Sequence, residues 1–274
     1  MLPGLAAALA AAVAFGVAAI LQAQGVRRLP PADGFDPRLV VHLLRDGAIV
    51  AALALNLSGF LLHLVALRSL PLFLAQAGIA GSLVVTALLA VRLFSDRLAL
   101  RDWAAVAAVC AGLGLLAAAA GPPGSTGQGS DVAAGLAVAV VLVAVGGLAA
   151  RKWRGPHGAA LLGLLAGLGF AVLSIAARLL PELAPAALAR SPATYVMLAS
   201  GAVAFLLYSL ALRRGEVTTA TAPMIVTQTT APAVVGVLLL GDAVRPGGAA
   251  GVALGFLLAA GGAVVLARFE GARR

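Results

Sequence analysis

Apolar and charged positions alternate along this chain in long blocks. Nine apolar runs of roughly 18–24 residues are separated by short connections, and all 10 acidic residues lie in the connections. The runs cover residues 2–23, 48–67, 70–91, 103–120, 132–150, 158–177, 193–212, 217–240 and 247–267. A helix of that length spans about 27–36 Å, the thickness of a bilayer core, and satisfies its own backbone polar groups there. The pattern therefore predicts an all-α polytopic membrane protein with nine transmembrane helices.

Composition supports a bilayer as the main partner of the chain. Apolar residues make up 62% and charged residues 11%, against roughly 25% charged residues in soluble domains. The net charge of +9 comes from basic residues scattered through the connections. A nucleic-acid interface would concentrate them on one face, so we expect no nucleic-acid partner.

The basic residues also predict an orientation. Fifteen of the 19 Lys and Arg residues lie in the C-terminal tail or the connections after spans 1, 3, 5 and 7. The other four are Arg68, Arg178, Arg190 and Arg245. The positive-inside rule then places the N-terminus outside and the C-terminus in the cytoplasm, across the plasma (inner) membrane. We expect Arg68 and Arg178, at outer helix ends, to snorkel to the lipid headgroups.

The chain repeats itself at an offset of about 145 residues. Residues 66–68 and 211–213 both read Ala-Leu-Arg, and acidic corners at 95–98 and 241–244 follow the next span in each case. Spans 1–4 therefore correspond to spans 6–9, with span 5 unpaired. The predicted units are a first repeat at 1–121, an external flexible linker plus span 5 at 122–155, and a second repeat at 156–274. Corresponding spans are five apart, so the second repeat is inverted, as in many secondary transporters.

Small residues recur at every fourth position on two spans. They are Gly247, Gly251, Gly255, Ala259 and Ala263 on span 9, and Gly163 and Gly167 on span 6. Such stripes let helix backbones approach closely. Packing within the bundle is the favoured interpretation, and a homodimer interface is the alternative.

Neutral polar residues supply the candidate site, because no acidic residue lies inside a span. The candidate substrate-binding residues are Asn56, Ser58, His63, Gln76, Ser82, Thr227, Gln228 and Thr230. Span 8 also carries Pro223 and Pro232, each of which removes an internal backbone hydrogen bond.

Several of these side chains also have a structural interpretation. The threonines can bond back to the preceding turn, Gln228 can join neighbouring helices, and His63 can be a hydrogen-bonded structural residue. The sequence shows no nucleophile motif, paired carboxylates, metal-ligand cluster or ATP-binding motif. We therefore expect no enzymatic activity, no cofactor and no metal site.

The chain resembles the drug/metabolite transporter superfamily, including its EamA-type members. Paired Ala-Leu-Arg openings, a Pro-bearing polar span and a Gly-rich last span carry this resemblance. Residues 24–28 (Gln-Gly-Val-Arg-Arg) and 218–223 (Thr-Thr-Ala-Thr-Ala-Pro) are similar to motifs of its nine-span, NIPA-like branch, which is associated with magnesium transport. That branch has a Gly-Glu pair in its second span, whereas residues 56–59 here are Asn-Leu-Ser-Gly.

Together these features favour a secondary transporter that moves a small organic solute by alternating access. Spans 2, 3 and 8 would line its site, and a pocket without fixed negative charge suits neutral, zwitterionic or amphipathic solutes. Two alternatives stay open. One is a divalent-cation (magnesium) transporter, and the other is a membrane scaffold or accessory subunit that transports nothing.

Overall fold

The computed structural model describes residues 2–27, 47–94, 99–124, 130–150, 152–153, 155–180, 184–212, 214 and 217–271. This part of the chain contains nine helices of 20 to 26 residues and one short helix, Pro185–Arg190. The long helices are α1 (Leu2–Arg27), α2 (Gly47–Ser69), α3 (Leu72–Phe94), α4 (Leu100–Ala119), α5 (Ser130–Ala150), α6 (Gly155–Arg178), α7 (Pro192–Leu212), α8 (Val217–Leu238) and α9 (Ala249–Gly271).

Local chemistry explains where several helices begin and end. Each predicted apolar run coincides, within a few residues, with one long helix. Pro71 precedes α3 and Pro192 opens α7, where a missing N–H costs no helical bond. After α8 the chain passes through Gly241, whose φ of +74° suits a residue without a Cβ. Helix α8 itself continues through Pro223 and Pro232.

Six helices in the described part of the chain are long and apolar enough to cross a membrane. Their spans are Val50–Ser69, Leu72–Leu89, Leu100–Ala119, Val132–Ala150, Gly155–Arg178 and Ala249–Leu266. The shorter apolar stretches are Leu2–Ala18, Pro192–Tyr208 and Pro223–Leu238, on the other three helices. The chain is therefore compatible with a membrane protein, and the number of nine spans stays a prediction.

The helices pack in two groups that are joined by contacts of α3 with α8 and α9, of α4 with α9 and of α2 with α6. Helix α1 packs against α2 and α3, and α6 packs against α7 and α8. Helix α4 packs along α9, and α3 packs against α8. Helix α5 lies against α6 and α7. Two apolar cores result, one around Phe73 and Ile175 and the other around Val109 and Leu162.

The small-residue stripes lie at helix contacts inside the bundle. A Cβ placed on Gly112 of α4 would lie 2.6 Å from the Gly255 oxygen and 2.6 Å from the Ala259 nitrogen of α9. A Cβ on Gly163 of α6 would lie 2.1 Å from the Ala220 oxygen of α8. The helix backbones therefore touch at these positions, as the favoured interpretation of the stripes predicts.

We expect Gly112→Ala to lower the free energy of unfolding by about 1–3 kcal/mol, because the methyl group would force α4 and α9 apart. Gly114→Ala, on the same helix, is the matched control: its Cβ would meet nothing within 4 Å. The control should be neutral or slightly stabilising. Thermal unfolding in detergent measures both, and equal effects of the two substitutions would contradict the close contact.

Candidate functional site

A buried ion pair lies where α6 ends. Arg178 is 0% exposed, so the expectation that it snorkels to the headgroups is wrong. Its Nη2 donates to Oδ1 of Asp242 at 2.9 Å. Its Nη1 donates to the backbone carbonyls of Leu67 and Leu70, and the Gly124 carbonyl lies 3.4 Å from Nη2. The guanidinium is held by a carboxylate and by helix-end carbonyls because no water reaches it.

Asp242 links the Arg178 guanidinium to two further backbone segments. Its Oδ2 accepts the N–H of Leu72 at 2.5 Å, and its Oδ1 accepts the N–H of Gly124 at 2.7 Å. Leu72 is the first residue of α3, where backbone N–H groups have no partner within the helix. A carboxylate is favourable there because it also faces the positive end of the helix dipole. The pair thereby joins the end of α2, the start of α3, the end of α6 and the connections after α4 and α8.

Two connections pair with each other beside Asp242. Residues 119–124, which leave α4, run antiparallel to residues 240–245, which leave α8; we call these two segments the strap. Ala120 and Val244 form an isolated antiparallel bridge. Three backbone hydrogen bonds flank it: Gly121 N–H to the Ala243 carbonyl, Ala243 N–H to Pro122, and Arg245 N–H to Ala119. The predicted flexible linker thus begins with residues, 122–124, that have fixed partners; residues 125–129 lie outside the described part.

Glycines make the strap sterically feasible. A Cβ on Gly124 would lie 1.9 Å from the Leu240 oxygen, and one on Gly236 would lie 2.4 Å from Asp242 Oδ2. Gly236 lets the connection after α8 fold back onto its own helix end, and Gly124 lets the connection after α4 approach it closely. The local sequence therefore places the Asp242 carboxylate against α3.

A second arginine also donates to a backbone carbonyl at the same end of the bundle. Nη1 of Arg68, at the end of α2, donates to the backbone carbonyl of Leu180, just beyond the end of α6. Arg178 of α6 in turn donates to the carbonyl of Leu67 in α2. The ends of α2 and α6 are thus tied to each other by reciprocal bonds.

The predicted site residues on α2 and α3 fall into two classes. Ser58 is exposed and bonds back to the Ala54 carbonyl at 2.8 Å, and Asn56 is half-buried. His63 is 5% exposed and Gln76 is 1% exposed. Among the residues that the structure describes, the Nε2 atom of His63 and both amide atoms of Gln76 have no hydrogen-bond partner.

The hydroxyl groups of the predicted site bond mainly within their own helices. Ser82 donates to the Ile79 carbonyl at 2.7 Å, and Thr230, which is exposed, donates to Val226 at 2.6 Å. Thr227 lies 2.8 Å from the Pro223 carbonyl and 3.1 Å from that of Leu164 on α6. The back-bonding predicted for the threonines is confirmed for these residues.

Gln228 lies on a different side of α8 from one row of exposed positions. Val226, Thr230, Val234 and Val237 are exposed and recur every three or four residues, which defines one face. At 100° per residue, Gln228 lies about 200° around the helix from Val226. It is half-buried there. Its remaining exposure is therefore directed away from that face.

A small cavity of about 10 Å³ lies between α3, α8 and α9. Its lining residues are Ala77, Ala80, Ile225, Thr229, Phe256, Ala259 and Ala260. That volume holds about one water and is too small for an organic solute. None of the eight predicted residues lines it, although Gln76 adjoins Ala77 in the chain and Thr229 lies between Gln228 and Thr230. The structure brings α3 and α8 together but packs α2 chiefly on α1 and α6, so the eight-residue site stays a prediction.

Within the described residues, no three His, Cys, Asp or Glu side chains come together in a group that could hold a metal ion. No protein-family model, curated protein or solved structure matches the chain.

The feature that the sequence reasoning missed is the Arg178–Asp242 pair. One signal could have suggested it: the predicted topology puts both residues in connections on the same side of the membrane.

The ion pair predicts strong coupling between two substitutions. Asp242→Ala should lower the free energy of unfolding by about 3–5 kcal/mol, because Arg178 would stay buried without its counter-charge. Arg178→Met should cost clearly less in the Asp242→Ala background than in the parent chain. Unfolding in detergent, followed for the four members of this double-mutant cycle, measures the difference.

Asp102 is the matched control, being 3% exposed like Asp242. Its described partners are local and lie at the opposite end of α4: Oδ2 accepts the Ala99 N–H at 2.9 Å, and Oδ1 lies 3.7 Å from Nε of the exposed Arg101. Asp102→Ala should cost about 0.5–2 kcal/mol as a lost cap and be additive with Arg178→Met. Additivity at Asp242 as well would contradict the pair.

Proposed function

We propose that this chain is a secondary transporter that moves a small organic solute by alternating access between two inverted halves. In this proposal all nine long helices cross the membrane. Helices α1–α4 form one half, α6–α9 form the other, and α5 is additional. The proposal includes membership of the drug/metabolite transporter superfamily, and no enzymatic step.

The observation that carries the proposal is the equivalence of helix contacts in the two halves. Helix α1 packs on α2 and α3 as α6 packs on α7 and α8, and α3 contacts α4 as α8 contacts α9. Across the halves α3 also contacts α9 and α2 contacts α6, while the contacts of α3 with α8 and of α4 with α9 join corresponding helices. A pseudo-twofold axis between the halves would produce this pattern.

Glycines support the same equivalence at atomic detail. A Cβ on Gly16 of α1 would lie 2.9 Å from the Ser82 oxygen of α3. A Cβ on Gly167 of α6 would lie 2.5 Å from the Met224 oxygen of α8. In each half, a glycine on the first helix lets the third helix approach closely. The third helices are those that carry Gln76 and Gln228.

A transport assay on purified protein in liposomes tests the proposal. Amino acids, nucleobases, sugars and divalent cations would first be screened for stabilisation of the protein, and each stabilising compound would then be assayed for uptake. Uptake of an organic solute supports the proposal. Uptake of magnesium alone would favour the cation transporter, and no uptake of any compound would favour the scaffold.

The orientation is testable separately from transport. The basic residues predict Ser125 outside and Arg274 in the cytoplasm. Both positions lie outside the described residues, and both suit the attachment of reporters or single cysteines. Labelling from each side of the membrane should modify Ser125→Cys from outside only and Arg274→Cys from inside only. Finding both on one side would contradict the nine-span topology.

Replacement of Gln228 tests the proposed site. Gln228→Leu keeps the approximate size of the side chain but removes its hydrogen bonds. It should weaken solute binding by about 1–3 kcal/mol, because a polar group of the solute would lose its partner. The control is Ser200→Ala, which removes a buried hydroxyl whose partner among the described residues is the Met197 carbonyl of its own helix. Equal binding by the parent and Gln228→Leu would exclude Gln228 from the site.

A further inference from the structure

We propose that the Arg178–Asp242 pair and the strap form the outer gate of the transporter. The gate closes the path from that face to the centre of the bundle, and it opens when the pair and the strap release their backbone partners in the first half of the chain. This inference rests on the proposed function for its role in transport. Its structural part, a closure that can open, is testable without any solute.

The position of the pair is the first argument. Asp242 holds Leu72 at the start of α3, and Ala77, which lines the small cavity, lies about 7–8 Å further along that helix. On α8, Thr229 lies about 10 Å from Gly236, whose Cβ position adjoins Asp242. The network therefore lies above the cavity, between it and one end of the bundle. A route along α3 and α8 from that end to the cavity passes the network.

The connectivity of the pair is the second argument. Arg178 and Asp242 both belong to the second half of the chain. Their backbone partners, Leu67, Leu70, Leu72 and Gly124, belong to α2, α3 and the connection after α4. The strap adds backbone bonds between the same two parts. Separating the halves at this end therefore breaks these bonds together with the bond from Arg68 to the Leu180 carbonyl.

The chemistry of the pair is the third argument. A buried ion pair has a large desolvation cost, which its mutual attraction offsets only while the geometry is intact. Opening to water hydrates both charges and recovers that cost. An apolar contact of the same area has no such compensation, since opening exposes it to water at about 25 cal/mol per Å². A closure made by an ion pair is thus stable while water is excluded from it, and it can separate once water enters.

Sided labelling of a buried cysteine tests the gate directly. The reporter is Ala77→Cys, a 2%-exposed cavity position, in a background where the exposed Cys110 is replaced by Ala. In the parent, a membrane-impermeant thiol reagent added outside should react slowly. Asp242→Asn should raise that rate at least tenfold, and Arg178→Lys, which keeps the charge but loses the planar fork, should raise it as well. Asp102→Asn should leave it unchanged.

Two labelling results would overturn the gate. One is a folded Asp242→Asn variant that reacts at the parent rate. The other is an equal rise for reagent added from either side, because that would indicate general loosening instead of opening at one face.

A cross-link closes the gate without disturbing the ion pair. Ala120→Cys and Val244→Cys face each other across the isolated bridge, a geometry in which Cα atoms lie about 4.5 Å apart and a disulfide can form. Oxidation should abolish solute uptake, and a reductant should restore it. Either single cysteine should transport under both conditions.

Full uptake by the cross-linked protein would overturn the proposal, even where Asp242→Asn and Arg178→Lys both fail to fold. An absence of uptake in the parent would count against the transport function itself. In that case the labelling rates still decide whether this face opens.

Discussion

The buried pair of Arg178 and Asp242 determines how the ends of the helices meet at one face of the bundle. An unpaired buried ion would cost several kcal/mol, so the pair needs a full set of partners. It finds them among the groups that helices leave unsatisfied: the Leu67 carbonyl in the last turn of α2 and the Leu72 N–H in the first turn of α3. One interaction thus satisfies both the charges and the helix termini. Of the three nitrogens of this guanidinium, Nε has no hydrogen-bond partner within the described part of the chain.

This constraint extends into the backbone around it. Asp242 reaches α3 only because the chain turns back after α8, and Gly236 and Gly241 permit that turn. Gly124 permits the close approach of the connection after α4. The strap therefore depends on glycines, which let backbone segments approach closely, and it surrounds the two charged residues, Arg178 and Asp242. Elsewhere the bundle is held by apolar packing and by contacts at Gly112 and Gly163.

The helices were predictable because each is a continuous apolar run, and local sequence determines such runs. The burial of Arg178 was not predictable in the same way. An arginine at the end of a span ordinarily extends to the headgroups, and its partner here lies 64 positions away in the chain. Only the packing of α6 beside α2 decides between the two outcomes. The predicted topology placed Arg178 and Asp242 on the same side of the membrane, but it gave no information on the distance between them.

The candidate site shows a second limit of prediction from sequence, which is that polar residues in a span need not be available to a solute. Helix α8 looks polar in sequence, yet the hydroxyl groups of Thr227, Thr229 and Thr230 bond to carbonyls one turn earlier. A hydroxyl can satisfy itself within its own helix, so counting such residues overstates how much polar chemistry a span offers a solute. The amide of Gln76 has no partner in the described residues although it is buried. An amide that the protein leaves unsatisfied is the stronger indication of a solute contact, because a second molecule can supply both its donor and its acceptor.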